Sequence, residues 1–135
     1  MVKFLDHLTN HFIFYQIKIL MNNNLAYFKY LEIIRKTYPE EMILDIDPVS
    51  RLILDEIAFH ENRHHQLTIT VMMSYLHIAS QATIHRKLTY LVEEGLVHSK
   101  CVGTNRRTKH LTVSKLAHRY YKTISQAMIK ACAST

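Results

Sequence analysis

Glycine and proline occur only twice each in 135 residues, and all four sit where a chain of helices needs a boundary. Asp47-Pro48 reads as a helix start, with Asp47 as N-cap and Pro48 at the first helical position. Pro39 follows the first helical region. Gly95, after Val92-Glu93-Glu94, suits a helix C-terminus in the left-handed conformation. Gly103 lies between two short strand-like runs and suits a tight turn. The remainder is rich in Leu, Ile, Met, Lys and Glu, so the chain is expected to be mainly α with one small β-hairpin, an α+β fold.

Residues 3–37 form one long helix or two successive ones. Leu5, Leu8, Phe12, Tyr15 and Ile19 repeat in steps of three and four. Asn22-Asn23-Asn24 interrupts them, and Leu25, Phe28, Leu31 and Ile34 resume the rhythm. With Ile13, Ile17 and Leu20 widening it, this apolar face calls for a packing partner, read here as a second subunit. A helix from Pro48 to about Glu61 places Leu52, Ile53, Ile57 and Ala58 on one side. Gln66 to Ile69 is a short extended segment. Thr70 to Leu76 is a short helix with Thr70 as cap, His77-Ile78-Ala79 a tight connection, and Ser80 the cap of a helix running to Glu94.

After Gly95 the period changes from 3.6 to 2. Leu96, His98, Lys100 and Val102 alternate with Val97, Ser99 and Cys101 as a strand does. Residues 103–106 turn, and Arg107 to Thr112 return. A last helix starts near Ser114 and carries the stripe Leu116, Tyr120, Ile124, Met128. A short helix, a tight turn and a longer helix make a helix-turn-helix, and the hairpin adds a wing. Three regions follow: 1–40 and 114–135, helical and dimerising, around a winged helix-turn-helix at 41–113.

The charge is unevenly spread. Residues 1–79 hold seven Lys/Arg and nine Asp/Glu; residues 80–135 hold ten and two, and the whole carries +6. A basic C-terminal half points to a polyanionic partner. On the helix from Ser80, Ile84, Leu88 and Leu91 share the core face. Gln81, Thr83, His85 and Arg86 are left for base or phosphate contacts, with Lys87 beside them and Ser80 at the N-terminus. The hairpin tip carries Asn105, Arg106, Arg107 and Lys109, cations suited to a phosphate backbone or minor groove.

The run Ser80-Gln81-Ala82-Thr83-Ile84-His85-Arg86-Lys87-Leu88, with Leu91-Val92-Glu93-Glu94-Gly95-Leu96-Val97, resembles the recognition helix and following strand of MarR-family regulators. Asn105-Arg106-Arg107 followed by Leu111-Thr112 resembles that family's wing. The resemblance spans about residues 48–125. Asn105 stands where the family usually has Asp, and Arg107 keeps the Arg. The resemblance implies a homodimer built from terminal helices. It implies a pseudo-palindromic duplex DNA target, with recognition helices in successive major grooves and wings at the flanks. It often implies a small-molecule or redox effector, which nothing in the sequence identifies. A winged helix serving as a protein-interaction module is the alternative, and RNA binding a weaker one.

Glu56, His60 and His64 recur every four residues, a spacing able to hold a divalent metal, but no cysteine nearby completes a set; no metal or cofactor is expected. Cys101 and Cys132 do not make a disulfide framework and are read as reduced, in a cytoplasmic protein. No stretch approaches a membrane span, and no cleavage site follows Phe12-Ile13-Phe14-Tyr15. Phosphate-cradling glycine loops and nucleophile elbows are missing, so no enzyme is expected.

Overall fold

The computed structural model describes residues 13–14, 25–36 and 45–134. Expectations resting on Leu5, Leu8, Phe12, Tyr15, Ile17, Ile19, Leu20, the Asn22–Asn24 break and Pro39 lie outside the described residues. Residues 13–14 are helical, as is α1 over 25–36. Then come α2 (Pro48–Asn62), α3 (Ile69–Met73), α4 (Gln81–Glu93), β1 (Val97–Cys101), β2 (Lys109–Val113) and α5 (Lys115–Ala133). The chain divides into two compact units: Leu44–Tyr121, and the residues before and after it.

Within Leu44–Tyr121 the caps are those of the sequence, with one correction. Asp47 is the N-cap of α2. Its carboxylate accepts the Ser50 amide at 3.1 Å and the Ser50 hydroxyl at 2.7 Å, and Pro48 opens the helix. At the other end, His64 takes a positive φ of 58°. The His65 amide reaches back to the His60 carbonyl at 3.0 Å, closing a left-handed cap normally given to glycine. The cap of α3 is Thr68, not Thr70, and the helix stops at Met73, short of Leu76. The shift has a tertiary cause. The Leu67 carbonyl accepts the Leu111 amide at 2.7 Å and Thr68 bridges His110, so Thr68 is the last extended residue and its Oγ1 is free to accept the Val71 amide. Ser80 caps α4 through the Thr83 amide at 3.3 Å. Gly95 ends it at φ 69°, with the Leu96 amide returning to the Leu91 carbonyl at 2.9 Å.

β1 and β2 are antiparallel, with Val97 opposite Val113 and Cys101 opposite Lys109. The core gathers Ile53, Leu54 and Ile57 from α2, Leu67, Met72 from α3, Ile84, Leu88 and Leu91 from α4, Leu96, Val97, Leu111 and Val113 from the hairpin, and Ala117 from α5. Burying each large side chain contributes about 1.5–3 kcal/mol. On α2 the inward residue is Leu54, while Leu52 is half exposed.

α5 starts with the Ser114 hydroxyl accepting the Ala117 amide at 3.2 Å. Its stripe also differs from the expected one. Ala117, Thr123, Ala127 and Ala131 are buried, whereas Leu116 and Met128 are exposed. Small residues therefore take the inward line of α5. The first turns of α5 are tied to α2. The Tyr121 hydroxyl donates to Asp55 Oδ1 at 2.6 Å, and Arg51 lies 4.8 Å from the Tyr120 ring centre. Burial and the Asp55 carboxylate push the Tyr121 phenol well above its usual range.

In α1, Leu31 and Ile34 are half buried, while Leu25, Tyr27 and Phe28 are exposed. Lys36 pairs with Glu32, and the Lys29 ammonium donates to the Ser134 carbonyl.

Candidate nucleic-acid interface

The packing of α4 decides which of its side chains are free. Ile84, Leu88 and Leu91 point inward, and helical geometry sends Ala82, Arg86 and Thr89 to the opposite side with His85 at its flank, while Gln81 lies at the edge of the inward face in the first turn; all five are exposed. The N-terminal half of this face is polar and short-chained around Arg86. Glu93 and the C-cap Glu94 lie at the far end, so residues 80–113 hold six Lys/Arg and only those two acids.

Two expected contact residues have other partners. Lys87 is half buried, and its ammonium lies 2.8 Å from Asp47 Oδ2. It joins the middle of α4 to the N-cap of α2, forty residues earlier, instead of reaching into solvent. The same Lys87 hydrogen bond, with help from Ser50, holds the Asp47 carboxyl well below the usual carboxylate range. Thr83 is half buried, and its Oγ1 accepts from the Ser80 hydroxyl at 3.0 Å. Ser80 is thereby a cap that orders the first turn, and the exposed contact set on α4 narrows to Gln81, His85 and Arg86.

On the wing, Asn105 braces the turn itself. Its Oδ1 accepts the Arg107 amide at 3.0 Å and its Nδ2 donates to Thr108 Oγ1 at 3.1 Å. The Cys101 thiol donates to the Arg106 carbonyl at 3.2 Å, closing the loop from the other side. These bonds order the loop backbone while Arg106, Arg107 and Lys109 remain exposed. None of the ion pairs among the described residues uses Arg86, Arg106, Arg107 or Lys109. Two exposed hairpin residues, His98 and Lys100, were missing from the sequence-derived set. The alternation after Gly95 marks both as outward, and Lys100 stands opposite His110, adding a cation to the hairpin.

The discounted motifs have plain geometry. Glu56 Oε2 lies 3.7 Å from His60 Nε2, which also meets the Tyr75 hydroxyl at 3.2 Å, while His64 sits past the helix end in the left-handed cap. Among the described residues no group of three or more His, Cys, Asp or Glu is placed to hold a metal ion. Cys101 and Cys132 are both exposed and are not joined in a disulfide. No described helix is long and apolar enough to cross a membrane.

No protein-family model matches the chain, and no curated protein does. Solved structures do match. A MarR-like transcriptional regulator of Thermotoga maritima, tm0816, superposes with a TM-score of 0.61 at 11% identity, covering 88% of this chain and 81% of that one. The transcriptional regulator Tm0710 of the same organism gives 0.57 at 12%, covering 89% and 76%. A mutant of S. aureus MepR bound to an oligodeoxyribonucleotide gives 0.53 at 16%, covering 90% and 83%. With identities this low the likeness is one of fold, and the element order, the capped α3–turn–α4 pair and the hairpin agree with it: this chain has a winged-helix fold similar to that of these solved structures.

Proposed function

We propose that this chain is a transcription regulator that binds double-stranded DNA sequence-specifically as a homodimer. In this reading α4 lies in the major groove and the β1–β2 wing lies on the backbone or minor groove. The observation that carries it is the pairing, on one unit, of an outward polar α4 face around Arg86 with an ordered hairpin whose Arg106, Arg107 and Lys109 have no intramolecular ion pair among the described residues. Arg86 and Gln81 supply the side-chain types that pair with base edges, and their place in the N-terminal half of the helix is where groove-reading helices do so. Wing cations supply salt-dependent, sequence-independent affinity. Ser80, Thr83 and Asn105 act by ordering the backbone that faces the phosphates, and Lys87 acts through Asp47. A fold shared with a DNA-bound protein, MepR, is consistent with this use.

The homodimer is supported by the apolar side chains left exposed outside Leu44–Tyr121. Phe14 is 70% exposed, Phe28 66% and Ile129 69%. Large apolar groups gathered in the terminal segments are the usual material of a subunit interface. Selection of bound sequences from a random duplex library tests both parts. An inverted repeat with half-sites about one helical turn apart supports the dimeric regulator; a library that stays random after selection refutes it.

A further inference from the structure

The carboxylate of Glu61 does something the surface of α2 does not need. Its Oε2 accepts the backbone amide of Val113 at 2.7 Å, across fifty-two residues of sequence, and its Oε1 lies 3.5 Å from His118 Nε2. The 2.7 Å contact with the Val113 amide is the short one, typical of a hydrogen bond to an ionised carboxylate. Val113 is the last residue of β2 and is 5% exposed. The amides of residues 111 and 113 face the edge of β2 away from β1, since they are two apart on one strand. The first is taken by the Leu67 carbonyl and the second by Glu61. A side chain thus stands where the next strand's carbonyl would be. The wing root is held on one edge by β1 and on the other by Leu67 and Glu61, and Glu61 also reaches the first turn of α5 through His118.

We propose that Glu61 is a positioning residue for the wing: it fixes the angle at which the hairpin presents Arg106 and Arg107 beside α4, without touching DNA. The inference rests on the DNA-binding reading above. The lever explains why one bond matters. From Val113 to Lys109 along β2 is four residues, about 13 Å at roughly 3.3 Å per residue, so a tilt of about 10° at the root displaces the base of the tip by about 2 Å. That displacement is enough to break a hydrogen bond to a phosphate.

The test compares Glu61→Met, which keeps the length but removes the acceptor, with Glu61→Gln, which keeps an acceptor oxygen and drops the charge. Circular dichroism first checks that both fold. Hydrogen exchange on the free protein then reads the Val113 amide. It is expected to exchange about tenfold faster in Glu61→Met and within about threefold of wild type in Glu61→Gln. With duplex DNA, Glu61→Met should flatten the salt dependence as loss of the wing arginines does, while Glu61→Gln restores it. Unchanged Val113 exchange in Glu61→Met overturns the proposal, and so does faster exchange with an unaltered salt slope. Should Glu61→Met not fold, Glu61→Gln decides alone, because exchange and slope both close to wild type are required of it. A wild-type protein that binds no duplex refutes the DNA reading instead, and the exchange result still reports whether Glu61 holds the strand.

Discussion

Replacing Asp47 by Ala removes three interactions at once, and the structure gives each a size. The N-cap bond to the Ser50 amide is lost, which costs about 1 kcal/mol. The Ser50 hydroxyl, fully buried and donating to Asp47 at 2.7 Å, is left without its acceptor, a penalty of about 1–3 kcal/mol. The Lys87 pair is a quarter to a third exposed, so water screens it and it adds about 0–1 kcal/mol. The expected loss is about 2–5 kcal/mol, measurable by urea unfolding of the two proteins. A double-mutant cycle with Lys87→Met isolates the pair and should return no more than about 1 kcal/mol of coupling. Lys87→Met alone should leave the salt dependence of DNA binding unchanged, since Lys87 is engaged within the fold. A stability loss under about 0.5 kcal/mol in Asp47→Ala would refute the capping argument. A flattened salt slope in Lys87→Met would restore Lys87 to the DNA-facing set.

Gly95→Ala places a side chain at φ 69° with no atom within 4 Å of the new Cβ, so only backbone strain is felt, and unfolding should show about 1 kcal/mol of destabilisation. His64→Gly relieves the same strain at φ 58° and should stabilise by about 0.5–1 kcal/mol in the same assay. Arg106→Ala and Arg107→Ala should each lower the slope of log K against log salt by about 0.9, read by anisotropy titration across salt concentrations. Because the folded Asp47 carboxyl is depressed, chiefly by Lys87, its contribution is present above its ordinary pKa near about 4 and is lost as pH falls below that. Acid unfolding of Asp47→Asn should accordingly show a weaker pH dependence there than wild type.

Local signals carried most of the fold. Asp47-Pro48, Ser80 and Gly95 mark helix ends because capping chemistry is written within four residues of the end it serves. The inward face of α4 follows from period alone. What the sequence did not reveal depends on distant partners. Thr68 displaces Thr70 as the cap because Leu67 pairs with Leu111. Lys87 looks like a free cation until Asp47 is placed beside it, and Glu61 looks like a solvated helix end until Val113 arrives. On α5, a hydrophobic stripe drawn through large residues selected Leu116 and Met128, while the alanines that face inward carry little hydrophobic weight. In the candidate site the exposed members, Gln81, His85, Arg86 and the wing cations, were readable; which of their neighbours are structural was not.

The direct measurement is a competition at physiological salt between the duplex recovered by library selection and a random duplex of equal length, with wild-type and Arg86→Ala proteins. A regulator that reads bases through α4 prefers the selected duplex by at least about 10³-fold, and Arg86→Ala surrenders about 1–3 kcal/mol of that preference. Equal wild-type affinity for the two duplexes would contradict the account.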